Sequence, residues 1–300
     1  MTSRFDDLAA FVAVARAGGF RDAGRAQGAS ASGLSEAVRR LEAGLGVRLL
    51  HRTTRTVAPT EAGERLLRRI GSAFGEIGAA LDEAAGSGDR PAGTLRLNVP
   101  VVAARLVLPR ILPPFLAAYP DIRMEITADD RFVDVLAEGC DAGIRYDERL
   151  ERDMIALPIG PREQRFAAAA SPDYLARRGR PSHPRELAGH ACLRGRFSSG
   201  AMPAWEFARD GEVLRLDPAG PLVAGIGGAT DLMVDVARAG GGIVYLFEEW
   251  LRPFIDRGEL EPVLQDWWPS FTGPFLYYPG HRHVPAPLRA FIDFTRALRW

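Results

Sequence analysis

Lysine is missing from all 300 residues, so each of the 38 basic side chains is an arginine. Genome base composition is the simplest cause. Its consequence is that any basic contact to a polyanion must be a planar, bidentate guanidinium. Cysteine is nearly missing: Cys140 and Cys192 are the only two. Two distant thiols build no disulfide framework and fit a reducing compartment. Glu138 and Asp141 would raise the Cys140 pKa if they lie close, which argues against a redox switch there. Net charge is absent too, since 38 acidic residues balance the arginines. No apolar run approaches the length of a membrane span, so no membrane partner is expected. The chain opens directly into a helical pattern carrying Asp6 and Asp7 rather than an export signal, so a cytoplasmic location is expected. Catalytic signatures are also lacking. Gly195, Gly225, Gly227 and Gly228 form no phosphate-binding motif, and His183, His190, His281 and His283 show no metal-ligand spacing. No serine sits in a nucleophile elbow. An enzyme is therefore not expected, and no cofactor is implied.

What is present begins near the N-terminus. Leu8, Phe11, Val12 and Ala15 recur at helical spacing, and Gly18-Gly19 ends that segment. Residues 20–27 read as a short second helix with Phe20, Ala23 and Ala26 facing inward. Gly28 supplies a tight turn, and Ser30 is a good N-cap. Residues 31–46 then read as a third helix with Leu34, Val38, Leu41 and Leu45 as its core stripe. Its first turn is made of Ala31, Ser32, Gly33 and Ser35, short enough to approach the floor of a DNA major groove. Arg39 and Arg40 follow one turn later. The alternation over 47–52, the polar Thr53-Thr54-Arg55 and the return over 56–58 predict a two-stranded wing, with Arg48, Arg52 and Arg55 placed for a sugar-phosphate backbone. Residues 1–60 hold nine arginines against five acids, a modest positive footprint.

The run from Ala26 to Gly63, AQGASASGLSEAVRRLEAGLGVRLLHRTTRTVAPTEAG, resembles the N-terminal signature of the LysR-type transcriptional regulators. The resemblance covers residues 5 to about 86 strongly and the rest more loosely. It implies a winged helix-turn-helix DNA-binding domain over 1–60 and a linker and dimerisation helix over 61–86. An effector-binding domain is implied over 93–300. The family's contacts carry over to Ser30, Ala31, Ser32, Ser35, Glu36 and Arg39 on the recognition helix, and to Arg52, Thr54 and Arg55 on the wing. Relatives commonly have Gln where Ala31 stands and Arg where Glu36 stands. Two usual base readers are thus lost, and a different half-site is expected.

Pro59-Thr60-Glu61 opens the linker helix, with Thr60 as its N-cap. Leu67, Ile70, Phe74, Ile77, Leu81 and Ala84 are spaced alternately three and four apart, a heptad seam that expects a partner helix from a second chain. A homodimer or homotetramer is the expected assembly. Beyond Gly93, strands at 94–99, 121–127 and 140–145 alternate with helical patterns at 100–118 and 132–137, which predicts a parallel sheet. A second set follows at 166–170, 190–194, 230–239 and 242–246. The chain then returns through a strand at 274–278 to a last helix at 286–298.

The resemblance implies that this α/β domain is two-lobed and periplasmic-binding-protein-like. Lobe I would span about 93–161 and 268–300, and lobe II about 162–267. Ligands of open α/β sheets sit beyond the carboxyl ends of strands. The candidates for an effector, either an organic anion or an aromatic molecule, are therefore Val101, Val102, Arg145, Arg196, Phe197, Ser198, Gly227 and Phe247, with Tyr146 beside them. Many relatives carry Ser or Thr where this chain has Val101 or Val102, which weakens a hydroxyl clamp on a carboxylate. Two other functions fit parts of the pattern. A transporter's solute-binding protein would suit the C-terminal region but not the N-terminal one. A DNA-binding protein with an empty, ligand-independent C-terminal domain would suit both. The expectation that fits the whole chain is a sequence-specific regulator that binds double-stranded promoter DNA under control of a small molecule.

Overall fold

A computed structural model describes residues 4–52, 57–67, 69, 70, 77, 91–130, 139–146, 154–280, 284–298 and 300. The chain divides into two compact units. One is essentially residues 1–90, and the other is built from 91–132, 141–281 and 287–300.

In the N-terminal unit, α1 (Arg4–Ala17), α2 (Phe20–Gln27) and α3 (Ala31–Leu45) pack around Phe11, Val14, Leu34, Val38 and Leu41. Each such buried side chain contributes roughly 1.5–3 kcal/mol relative to exposure. Gly28 stands at φ 64° and closes α2, as its place in the turn requires. The Ser30 hydroxyl accepts from the Gly33 N–H at 3.1 Å and caps α3. Two expected core positions are not core. Ala26 is exposed, and buried Gly24 takes its place on the inner face of α2. A Cβ on Gly24 would lie 2.6 Å from the Ala29 carbonyl oxygen, so only glycine lets the turn fold back this closely. Leu45 is 38% exposed, and Ala37 is buried in its stead.

The wing is shorter than expected. β1 (Leu50–Arg52) pairs antiparallel with β2 (Val57–Pro59), and residues 47–49 lead into it without pairing. Thr60 then caps helix α4 (residues 61–67, continuing at 69–70), its hydroxyl accepting from the Gly63 N–H at 3.1 Å and donating to the Arg48 carbonyl at 2.7 Å. Leu66, Leu67 and Ile70 pack against the core of their own unit, so the first two seam positions have an intrachain partner. Ile77 is 40% exposed. Phe74, Leu81 and Ala84 lie outside the described residues.

The C-terminal unit holds two mixed sheets. The first has five strands: β3 (Gly93–Val99), β4 (Ile122–Ala128), β5 (Ala142–Arg145), β6 (Met154–Pro158) and β15 (Phe275–Pro279), in the order β4-β3-β5-β15-β6. The first three run parallel as expected, but β15 is antiparallel to both neighbours, because the chain re-enters this sheet from the second one. The expected single helix over 100–118 is two, α5 (Val101–Leu106) and α6 (Leu108–Ala118). The break falls at Val107, and Pro109 sits in the first turn of α6, where a missing N–H is harmless. Pro113 and Pro114 remain inside α6. Burial of Leu108, Ile111 and Phe115, roughly 1.5–3 kcal/mol each, outweighs two lost hydrogen bonds. Phe115 meets Phe291 of α10 (Ala286–Ala297) edge-on at 5.1 Å. The helix expected at 132–137 lies outside the described residues.

The second sheet follows the order β11-β8-β12-β7-β13. Its strands are β7 (Glu163–Ala170), β8 (Cys192–Arg196), β11 (Val223–Gly225), β12 (Ile243–Phe247) and β13 (Glu261–Val263). β14 (Ser270–Thr272) also pairs with β7, so these residues join the second sheet and not lobe I as expected. β9 (Trp205–Arg209) and β10 (Glu212–Leu216) form a separate hairpin. Four consecutive alanines, Ala167 to Ala170, are fully buried in β7. Ala167 and Ala169 pack under α8 (Thr230–Arg238) and α9 (Glu248–Asp256), while Ala168 and Ala170 face the opposite cluster around Tyr174 and Leu175 of α7 (Pro172–Arg178).

Gly63 and Gly44 make a paired test of backbone approach. A Cβ on Gly63 would collide with the Leu49 carbonyl oxygen, whereas one on Gly44 meets open space. Gly63→Ala is expected to destabilise the N-terminal unit by about 1–3 kcal/mol, and Gly44→Ala to stabilise it by up to about 1 kcal/mol. Urea titrations read by amide hydrogen exchange across residues 31–45 measure both. Equal effects would show that the close approach is not there.

Candidate functional site

Two surfaces gather the candidate residues. The first is the outer face of α3. Helical spacing buries Leu34, Ala37, Val38 and Leu41 and turns Ser32, Glu36 and Arg39 outward, with Ala31 and Ser35 half-buried beside them. Exposed Ser30 stands at the helix start, and its hydroxyl accepts a 3.3 Å bond from Ser32. Arg39 leans over Ser35 with a 3.5 Å contact to its hydroxyl. Arg40 is turned away from this face and donates to buried Asp7 of α1 at 2.7 Å. Arg25 is paired with Asp22 at 2.6 Å. The outward face of α3 therefore carries small residues at its start, then the Glu36 carboxylate and the Arg39 guanidinium. Among the wing candidates, Arg52 ends β1, while Thr54 and Arg55 lie outside the described residues.

The wing is tied to α3 by Glu42, which the sequence reading overlooked. Its Oε1 accepts from the N–H groups of Leu49 at 2.9 Å and Leu50 at 3.1 Å. A carboxylate that accepts two buried amides makes charge-assisted bonds and fixes where the wing leaves the helix.

The second surface is a cavity of about 730 Å³ in the C-terminal unit, lined by residues of both sheets. Val102, Arg145, Phe197, Ser198, Gly227 and Phe247 line it, as does Tyr146. Two candidates do not. Arg196 points outward as the exposed last residue of β8. Val101 is half-buried and packs, like Val102, against the hydrophobic cluster that includes Met233 and Val234 of α8. Strand alternation turns Arg196 away from the cavity that its neighbour Gly195 lines.

Phe166, Trp205, Tyr245 and Phe271, which sequence spacing did not single out, join Tyr146 and Phe247 in an aromatic stretch of the wall. Phe166 and Phe247 are directly opposed on β7 and β12, with ring centroids 4.8 Å apart. Phe166 also stacks on Tyr245 at 5.1 Å and meets Phe271 at 4.9 Å, and Tyr245 stacks on Trp205 at 5.1 Å. Tyr146 of the first sheet reaches across to Phe247 at 5.4 Å. The Tyr245 hydroxyl donates to the Glu206 carbonyl. The Tyr146 hydroxyl is buried without a hydrogen-bond partner among the described residues, and burial, aided by Glu249, pushes its pKa up.

Among the described residues the charged lining is mostly acidic: Asp129, Asp130 and Glu206, with Arg145 as the one guanidinium. Arg145 is 7% exposed and donates to the Asn98 side chain at 2.6 Å, the Ile144 carbonyl at 2.7 Å and the Asn98 carbonyl at 3.3 Å. Asp130 accepts from the Val101 N–H at 3.2 Å. Burial raises the Asp130 pKa and Asp129 adds to that, against the lowering effects of the Val101 amide and Arg145. At the cavity edge, Arg105 of α5 donates to Asp231 of α8 at 2.6 Å, Trp250 donates to the same carboxylate at 3.2 Å, and the Arg105 guanidinium lies 4.3 Å from the Trp250 ring. These contacts join helices of the two sheets. Cys192 is buried, donates weakly to the Leu187 carbonyl, and has its pKa pushed up to about 12 by burial, so it is not a reactive thiol.

Comparison with known proteins settles the lineage. The family profile for the bacterial regulatory helix-turn-helix protein, lysR family, matches residues 5–64, and that for the LysR substrate binding domain matches residues 88–299. This chain belongs to the LysR family of transcriptional regulators. It is 40% identical over 296 residues to the HTH-type transcriptional regulator YcaN of Escherichia coli K12, covering 99% of this chain and 96% of that one. A transcriptional regulator of Pseudomonas aeruginosa PAO1 is 43% identical over 297 residues, covering 98% and 94%. The structure of CrgA, a LysR-type regulator of Neisseria meningitidis, superposes with a TM-score of 0.58 at 29% identity over 98% of each chain. This LysR-family chain is thus a DNA-binding transcription regulator with the architecture of an effector-binding domain. No helix among its described residues is long and apolar enough to cross a membrane.

Removing the Glu42 carboxylate tests how the wing is held. Glu42→Ala is expected to cost about 1–3 kcal/mol, because two amides lose their acceptor. Hydrogen exchange at Leu49 and Leu50 should quicken while that at Val38 and Leu41 lags behind. Unchanged protection at Leu49 and Leu50 would contradict the contact.

Proposed function

We propose that this regulator reads a specific promoter sequence through α3 and the wing, and that a small organic molecule in the two-sheet cavity controls it. The cavity carries the proposal: about 730 Å³, lined by both sheets and floored by aromatic rings, it has the size and lining of small-molecule sites. Ser30, Ala31, Ser32, Ser35, Glu36 and Arg39 face the major groove. Ala31 can touch a thymine methyl and Glu36 can accept from cytosine. Arg52, Thr54 and Arg55 hold the backbone beside it. Val102, Arg145, Tyr146, Phe197, Ser198, Gly227 and Phe247 belong to the effector cavity, while Val101 and Arg196 support it from outside its lining. The working form is a cytoplasmic homodimer or homotetramer joined through the linker helix.

Control follows from differential affinity. A molecule that binds one arrangement of the two sheets better than another shifts the population toward it, by no more than that difference. The Arg105–Asp231–Trp250 cluster joins helices of both sheets and is a contact that such a shift would strain. In a dimer, a change of this kind alters the spacing of the paired DNA-binding units.

The test is a mobility-shift titration on the promoter DNA next to the protein's own gene, repeated across salt concentrations. Arg52→Ala is expected to weaken binding to all sequences alike and to flatten the salt slope by about one unit. Loss confined to one base position would contradict the backbone assignment. Failure of the wild-type protein to prefer promoter DNA over random duplex would contradict the function itself.

A further inference from the structure

We propose that the cavity selects aromatic molecules bearing a protonated amine and rejects organic anions, because Asp130 already occupies the place an anionic ligand would take. This inference rests on the effector cavity described above and assigns the polarity of its ligand.

Three features that ordinarily receive a carboxylate are engaged by the protein itself. The first N–H of α5 donates to Asp130. The Gly227 N–H, at the turn leading into α8, donates to the Thr230 hydroxyl at 3.1 Å. Arg145, the one guanidinium among the described lining residues, is held by the Asn98 side chain and by two backbone carbonyls. The two valines that open α5 bring no hydroxyl, and Val102 offers the cavity only methyl groups.

The space itself is shaped around Asp130. Gly227 stands at φ 88°, and a Cβ there would collide with Asp130 Oδ2. The carboxylate at the end of β4 therefore lies against the backbone of the loop before α8, where the two sheets face each other. Asp129 and Glu206 line the same cavity, and Glu206 is held at 2.8 Å by Arg215. An incoming carboxylate meets like charge on a half-buried wall. A protonated amine finds carboxylate acceptors, and its ring finds Phe166, Tyr245, Phe247 and Phe271. Aromatic faces also attract cations.

Titration calorimetry of the full chain with 2-phenylethylamine and phenylacetate tests this, since the two probes share a ring and differ in the sign of their charge. The amine is expected to bind more tightly by about tenfold or more, because like charges placed together in a buried site are costly. Asp130→Asn should narrow that gap. Asp130→Ser keeps an acceptor for the Val101 amide without the charge, and serves should the asparagine variant fail to fold. Phenylacetate binding as tightly as the amine overturns the proposal, as does a gap unchanged by loss of the Asp130 charge. If neither probe binds and no member of an aromatic metabolite panel raises the melting temperature, the effector-cavity function fails, and the polarity assignment fails with it.

Discussion

One hydrogen bond, from the Val101 amide to the Asp130 carboxylate, sets the chemistry of the C-terminal unit. A helix start ordinarily presents N–H groups to an anion. Here the anion is covalently part of the chain, so the cavity begins with its positive end covered and its wall negative. Gly227, at φ 88°, leaves the room that the same carboxylate fills, and Val102 lines the site with methyl groups alone. For the ligand proposed here, the aromatic floor would supply most of the binding energy, at about 25 cal/mol per Å² of apolar surface removed from water. The character of the site thus follows from the placement of a carboxylate more than from any group that reaches for a ligand.

The N-terminal unit applies the same economy to its own charges. Asp7 is buried in α1 and is answered by Arg40. Glu42 is engaged by two amides of the strand that opens the wing. These internal pairings leave the outer face of α3 to small residues, Glu36 and Arg39, an arrangement suited to close approach to base edges. Gly24 and Gly63 permit the two tight backbone approaches that fix the turn and the start of α4.

Much of this was legible in the sequence, and the rest was hidden for identifiable reasons. Ser30, Thr60 and Gly28 act at helix ends, where local chemistry decides structure, and all three behave as their residue types require. Ala26 and Leu45 were misplaced because periodicity alone does not say which positions of a face have a neighbour to pack against; Gly24 and Ala37 take the buried places. β6, β11, β13 and β14 went unread because three- to five-residue strands carry too little pattern, and β14 joins the second sheet through a pairing that is distant in sequence. In the cavity, Val102, Arg145, Phe197, Ser198, Gly227 and Phe247 lay at strand ends and were found by that rule. Phe166, Trp205, Tyr245 and Phe271 sit within strands, where an aromatic residue looks like ordinary core. Asp130 was missed because its role comes from a contact with the start of α5, 29 residues away.

The central claim is that filling the cavity changes DNA binding. Val102→Trp places a large ring in the cavity from a position that already lines it, and so stands in for a ligand without requiring its identity. Affinity and footprint on the promoter DNA beside the protein's own gene should be measured for this variant and the wild type, once circular dichroism shows the same fold. The account predicts a change in promoter affinity of about fivefold or more, or a shifted footprint, with binding to random duplex unaltered. Identical affinity and an identical footprint in a folded Val102→Trp protein would contradict it.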